Sequence, residues 1–141
     1  MDYEAALRPE RSGVYALPRP IRPLREAAAR ARLVWFELDA VHARDKSSFL
    51  AACAQQLGFP PHFGHNWDAL ADCLRDFSWK PAPGYVIVWR GVRGLERAEP
   101  DALATALEVL REAALFWSGR GKAFFVLLDR EPPGAALPAL Y

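Results

Sequence analysis

The densest concentration of reactive side chains lies between residues 59 and 79, which read FPPHFGHNWDALADCLRDFSW. Two imidazoles (His62, His65), three carboxylates (Asp68, Asp72, Asp76) and one thiol (Cys73) fall within it. Such groups can do acid–base chemistry, ligate a metal, attack an electrophile or present charge to a partner. Acid–base work by Asp68 and Asp72 lacks a complementary base or nucleophile in the surrounding sequence. His62, His65 and Asp68 are spaced by three, but the histidines fall in a loop and Cys73 points to a different helix face from Asp68. No metal is therefore expected. Cys53 and Cys73 both sit inside apolar helical patterns and read as reduced core thiols without an activating base. There is no phosphate-cradling glycine loop and no catalytic motif. The expectation is a chain with no catalytic residue and no cofactor.

Presenting charge remains. The spacing predicts a helix over residues 67–77, with Asn66 as N-cap and Asp68 in the first turn, where a carboxylate suits the helix dipole. Trp67, Leu70, Leu74 and Phe77 share one face of that helix. Asp68, Asp72 and Asp76, at i, i+4 and i+8, share another. Like charges at this spacing repel by about a few tenths of a kcal/mol per pair, and aspartate is an indifferent helix former. A solvated face can look like this, and Arg75 and Lys80 can neutralise Asp72 and Asp76 from within the chain. The sharper reading is that a cationic partner compensates the row. The preceding loop, His62-Phe63-Gly64-His65, would lengthen that surface.

Elements to hold this segment are legible on both sides. Residues 33–38 (LVWFEL), 85–89 (YVIVW) and 123–128 (AFFVLL) are apolar, β-branched and aromatic, as in strands covered on both faces or mostly so. The segments between them have helical period, which implies parallel strands joined by crossovers. A helix over residues 47–57, capped by Ser47 or Ser48, carries Phe49, Leu50, Cys53 and Leu57 on one side and ends at Gly58. A longer helix over residues 100–117 opens on Pro100 and aligns Leu103, Leu107, Leu110, Ala114 and Trp117. Residues 91–98 read as a loop or short helical turn. Before the first strand, residues 14–17 can form a short edge strand and residues 24–32 a short helix with Arg25, Arg30 and Arg32 exposed. The tail after Asp129 is rich in proline and reads as irregular. Trp35, Trp67, Trp89, Phe124 and Phe125 are expected in packing.

Composition bounds the function. The 141 residues, 52% hydrophobic and 25% charged, suit one folded domain that needs no disulfide. Residues 1–35 hold seven arginines against four acids, a balance of +3, while residues 36–129 hold ten basic and twelve acidic residues, a balance of −2. The arginines are scattered, and a row of aspartates repels phosphate, so no nucleic-acid partner is expected. No apolar run approaches a membrane span and the first residues are too polar for a signal peptide. The expectation is a cytoplasmic protein without a membrane partner.

The run Phe63-Gly64-His65-Asn66-Trp67-Asp68-Ala69-Leu70-Ala71-Asp72-Cys73-Leu74 resembles the signature of the barstar family of intracellular ribonuclease inhibitors. Val88-Trp89-Arg90 and Val109-Leu110-Arg111-Glu112 resemble the end of that family's central strand and its last helix. The resemblance covers roughly residues 33–128. It implies a small α/β fold, a three-stranded parallel sheet packed with helices, to which an N-terminal edge strand can be added. The corresponding division is an extension over residues 1–32, a barstar-like domain over 33–129 and an irregular tail over 130–141. It implies a protein partner, a basic ribonuclease of barnase type, blocked by the acidic helix and its loop, and a chain that is monomeric when unbound. By position, Asp72 would be the central contact in place of a substrate phosphate, Asp68 a second carboxylate and Glu112 a flanking salt bridge. Asp76, His62, Phe63, Gly64, His65, Asn66 and Ala71 would complete the surface. The family commonly carries aromatics at the positions of His62 and Ala71. The remaining alternative is an interaction module on the same scaffold, an antitoxin or regulatory binder, whose target is not a ribonuclease.

Overall fold

The computed structural model describes residues 2–140. Four parallel strands form one sheet in the order β1-β4-β3-β2: β1 is Gly13–Ala16, β2 Val34–Asp39, β3 Gly84–Arg90 and β4 Ala123–Leu128. The three apolar runs are strands, and the N-terminal segment supplies the fourth, paired with β4. Central strands β3 and β4 are buried almost throughout. β2 is an outer strand and is largely half-exposed, so the expectation of cover on both faces does not hold there. Trp35 is accordingly half-buried, its indole donating to Glu37 Oε2 at 2.6 Å.

Side chains alternate across the sheet with period two and feed two cores. Ile87, Trp89, Phe124, Val126 and Leu128 face the larger one. It is covered by α3 (Lys46–Gln56), α4 (Trp67–Leu74), α5 (Val92–Ala98) and α6 (Pro100–Ser118). Val86, Val88, Phe125 and Leu127 face the other way, against Tyr3 and Ala6 of α1 (Tyr3–Ala6) and Leu24, Ala27 and Ala28 of α2 (Arg22–Arg30). The tail lacks regular structure apart from one bridge, Ala16 with Ala139, but Leu137 packs into the first core and Leu140 into the second.

Several local details depart from the sequence reading. α3 is capped by Asp45, not by Ser47 or Ser48. The Asp45 carboxylate accepts from Ser48 N at 2.8 Å while Ser48 Oγ accepts from Asp45 N at 3.2 Å, a reciprocal capping box. Ser48 Oγ also donates to Asp45 Oδ1 at 2.6 Å, and this bond first, then the one from Ser48 N, holds the Asp45 carboxyl below its ordinary range. Of the two readings of residues 91–98, loop or short helical turn, the helical one holds and extends to seven residues, Val92–Ala98, with Asp129 beyond β4 accepting from Gly91 N at 2.8 Å and Val92 N at 3.3 Å at its start. A second tie from the same region is Arg130, which donates to both oxygens of Glu96 at 2.9 and 2.8 Å and keeps that carboxyl low. Gln56 closes the free side of β2 at its last residue, accepting from Asp39 N and donating to Asp39 O, both at 2.7 Å.

Candidate functional site

α4 is laid on the first core by Leu70 and Leu74, both essentially fully buried. Asn66 caps it as expected, its Oδ1 accepting from Ala69 N at 2.7 Å. The same side chain turns back to the loop, Nδ2 donating to Gly64 O at 3.3 Å. The loop is held from inside as well. Phe63 is only 7% exposed, packed against Phe59 and against the ring of His65, whose Nδ1 lies 3.1 Å from Phe63 O. Phe63 therefore serves as the anchor of this loop, leaving His62, Gly64, His65 and Asn66 at the surface. A Cβ on Gly64 would stand 3.2 Å from Asn66 Nδ2 and 3.5 Å from Ala69 Cβ, so the loop lies close against the first turn of α4.

The helix is shorter than expected, ending at Leu74 instead of Phe77. Arg75 is its C-cap, and Phe77 takes a left-handed φ of 50° that swings its ring into the core, stacked on Tyr85 at 4.5 Å. From α6, the Trp117 indole donates to Leu74 O at 2.7 Å and satisfies a carbonyl at the helix end. Asp76 thus stands in the turn after the helix, where Ser78 Oγ donates to it at 3.2 Å, and it is not the third member of a helical row.

Asp68, Asp72 and Asp76 are all exposed. Among the described residues Asp68 has no hydrogen bond or ion pair. Asp72 accepts from Arg75 Nη2 on Oδ1 alone, at 3.1 Å. Asp72 and Asp76 line an open groove of about 290 Å³ with Pro60, His62, Phe63, Gly64, Ala69 and Cys73. Asp68, His65, Asn66 and Ala71 lie outside that lining, and Glu112 is exposed on α6, the helix that packs against α4. Sequence reasoning did not place Pro60, Ala69 or Cys73 on the presented surface. For the helical wall alone a signal was there: 69, 72 and 73 follow the i, i+3, i+4 pattern of one helix face. Cys73 is half-buried in this groove rather than a core thiol, and burial first, then the charges of Asp76 and Asp72, push its pKa up. Cys53 is fully buried, and its pKa is pushed far up by burial alone. Trp67 is also only half-buried, resting on Phe49 at 6.2 Å with Lys46 Nζ 5.8 Å over its ring. Among the described residues, no group of three or more His, Cys, Asp or Glu side chains is arranged to hold a metal, and no helix is long and apolar enough to cross a membrane.

What the fold and this surface define is a small parallel α/β protein with carboxylates exposed on a core-anchored helix and an open groove beside them. Residues 33–129 match the family described as Barstar (barnase inhibitor), and the chain belongs to that family. A comparison with curated protein sequences finds no match.

Proposed function

We propose that this protein inhibits a basic ribonuclease of barnase type by covering its active site with α4 and the loop over residues 62–66. The observation that carries the reading is the outward display of Asp68 and Asp72 from a helix whose other side is locked into the core. A carboxylate delivered to a cleft of arginines and lysines makes charge-assisted hydrogen bonds in a partly dry site. Asp72 takes the central position, Asp68 adds a second acceptor, and Asp76, His62 and Glu112 contact the rim. Opposite fields also accelerate encounter, so the association rate falls as salt is added. An intracellular location and a monomeric free state belong to the same proposal.

The test is titration of barnase activity on a fluorogenic RNA substrate. Wild-type protein should inhibit, and Asp72→Ala should weaken binding by about 2 kcal/mol or more, the loss of a central charged hot spot. Barnase–barstar is itself a reference case for such coupling energies, so the magnitude is borrowed from that class of interface. Equal inhibition by mutant and wild type removes Asp72 from the role.

Two observations favour a second reading, an interaction module with another target. The formal net charge is +1, and a methyl at Ala71 and an imidazole at His62 stand on the presented surface. Failure to inhibit barnase, with Asp72-dependent capture of a protein that has no nuclease activity, would select this reading.

A further inference from the structure

We infer that Arg75 is an intramolecular competitor for Asp72 and sets how much positive charge a partner must bring. The inference rests on the reading of Asp72 as the central contact. Arg75 follows Asp72 by three residues and occupies the C-cap of α4, where its Nη2 reaches Asp72 Oδ1 at 3.1 Å. It does not line the groove that Asp72 borders. The carboxylate is therefore approached from two sides, by Arg75 on one oxygen and by solvent, or an incoming cation, on the other.

The pair stands in the open, with side-chain exposures of 40% for Arg75 and 78% for Asp72. Exposed pairs of this kind contribute little and break readily. A lone cation on a passing surface offers Asp72 no more than Arg75 already supplies, and it must order its own side chain to do so. Several cations converging in a partly dry cleft offer more, because each hydrogen bond is charge-assisted and desolvated. Arg75 thus lowers every affinity by a similar small factor. Weak contacts with basic proteins fall below useful occupancy, while a tight complex survives. It is an attraction within the chain that any partner for Asp72 must first displace.

Two probes test this, barnase and an arginine homopeptide, each titrated by calorimetry at low salt against wild type, Arg75→Gln, Arg75→Lys, Asp72→Asn and the Asp72→Asn/Arg75→Gln double variant. Arg75→Gln should bind both probes up to about five-fold tighter, the ceiling for an exposed ion pair, and Arg75→Lys should stay near wild type. The gain should vanish in the Asp72→Asn background, an outcome that a purely structural role for Arg75 would not produce. Weaker or unchanged binding by Arg75→Gln, while Asp72→Asn still weakens it, overturns the inference and leaves the inhibitor reading standing. A gain that persists without the Asp72 charge also overturns it. If Asp72→Asn binds as wild type does, or neither probe binds the wild-type protein, the inhibitor reading fails and Arg75 has nothing to compete for.

Discussion

α2 and α4 lie on opposite faces of one sheet and solve the same packing problem with opposite charges. Each is pinned by a fully buried leucine, Leu24 on one side and Leu74 on the other. Each turns charge to solvent, arginines from α2 and aspartates from α4. The difference lies in what those charges do. On α2, Arg22 pairs with Glu26 at 3.3 Å, Arg30 pairs with Glu4, and Arg25 lies over the Trp35 ring at 5.4 Å. On α4, Asp68 has no such partner among the described residues, and Asp72 has one oxygen engaged. A charged face matched within its own chain has little left to offer another molecule. The comparison therefore separates a cover from a candidate interface by pairing state and not by charge density.

The largest expected effects fall on the shared feature. Leu74→Ala and Leu24→Ala should each cost about 2–5 kcal/mol of stability, measured by denaturant unfolding, because each leaves a cavity in a closed core. A negligible change for Leu24→Ala would mean that α2 is a loose appendage, and the symmetry of the two faces would be broken. Next comes the contrast itself. Asp72→Ala should lose about 2 kcal/mol or more of binding to barnase, whereas Arg22→Ala should change binding and stability by less than about 0.5 kcal/mol. Comparable binding losses from both would show that pairing state does not distinguish the faces. The smallest effect concerns the neighbouring helix. Asp45→Ala should lower the melting temperature modestly near neutral pH by removing the α3 cap. Because the folded-state pKa of Asp45 is depressed, its contribution is present above the ordinary carboxylate range and is lost as the pH falls through the lowered value. A mutant with the same acid-side stability profile as wild type would remove Asp45 from that role.

Much of the scaffold was readable because burial leaves a local imprint. β3 and β4 are buried along most of their lengths, so their residues form unbroken apolar runs. All five members of the predicted α6 stripe are buried. What failed to register depends on distant partners. The start of α5 is held by Asp129, 38 and 37 residues from the amides that donate to it, and no local pattern announces that. α4 stops early because Phe77 finds Phe36, Tyr85 and Phe124 in the core, while the sequence there offers no glycine to mark a left-handed turn. Asp45 was overlooked because Ser48, its partner in the capping box, carries the same signal three residues later. Of the candidate site, the carboxylates and the Asn66 cap were legible. The groove was not, because its second wall is a loop folded back by Phe63 and Asn66.

The Gln56 amide at the end of β2 has a consequence for how the molecule behaves in a crowd. With one donor and one acceptor, both 2.7 Å from the Asp39 backbone, it occupies the rung that a neighbouring strand would otherwise take. An open rung of this kind is where foreign chains begin to zip on and where fibrous stacking starts. One glutamine side chain, reaching over from a helix, thus works as a terminator for a ladder that would otherwise invite extension.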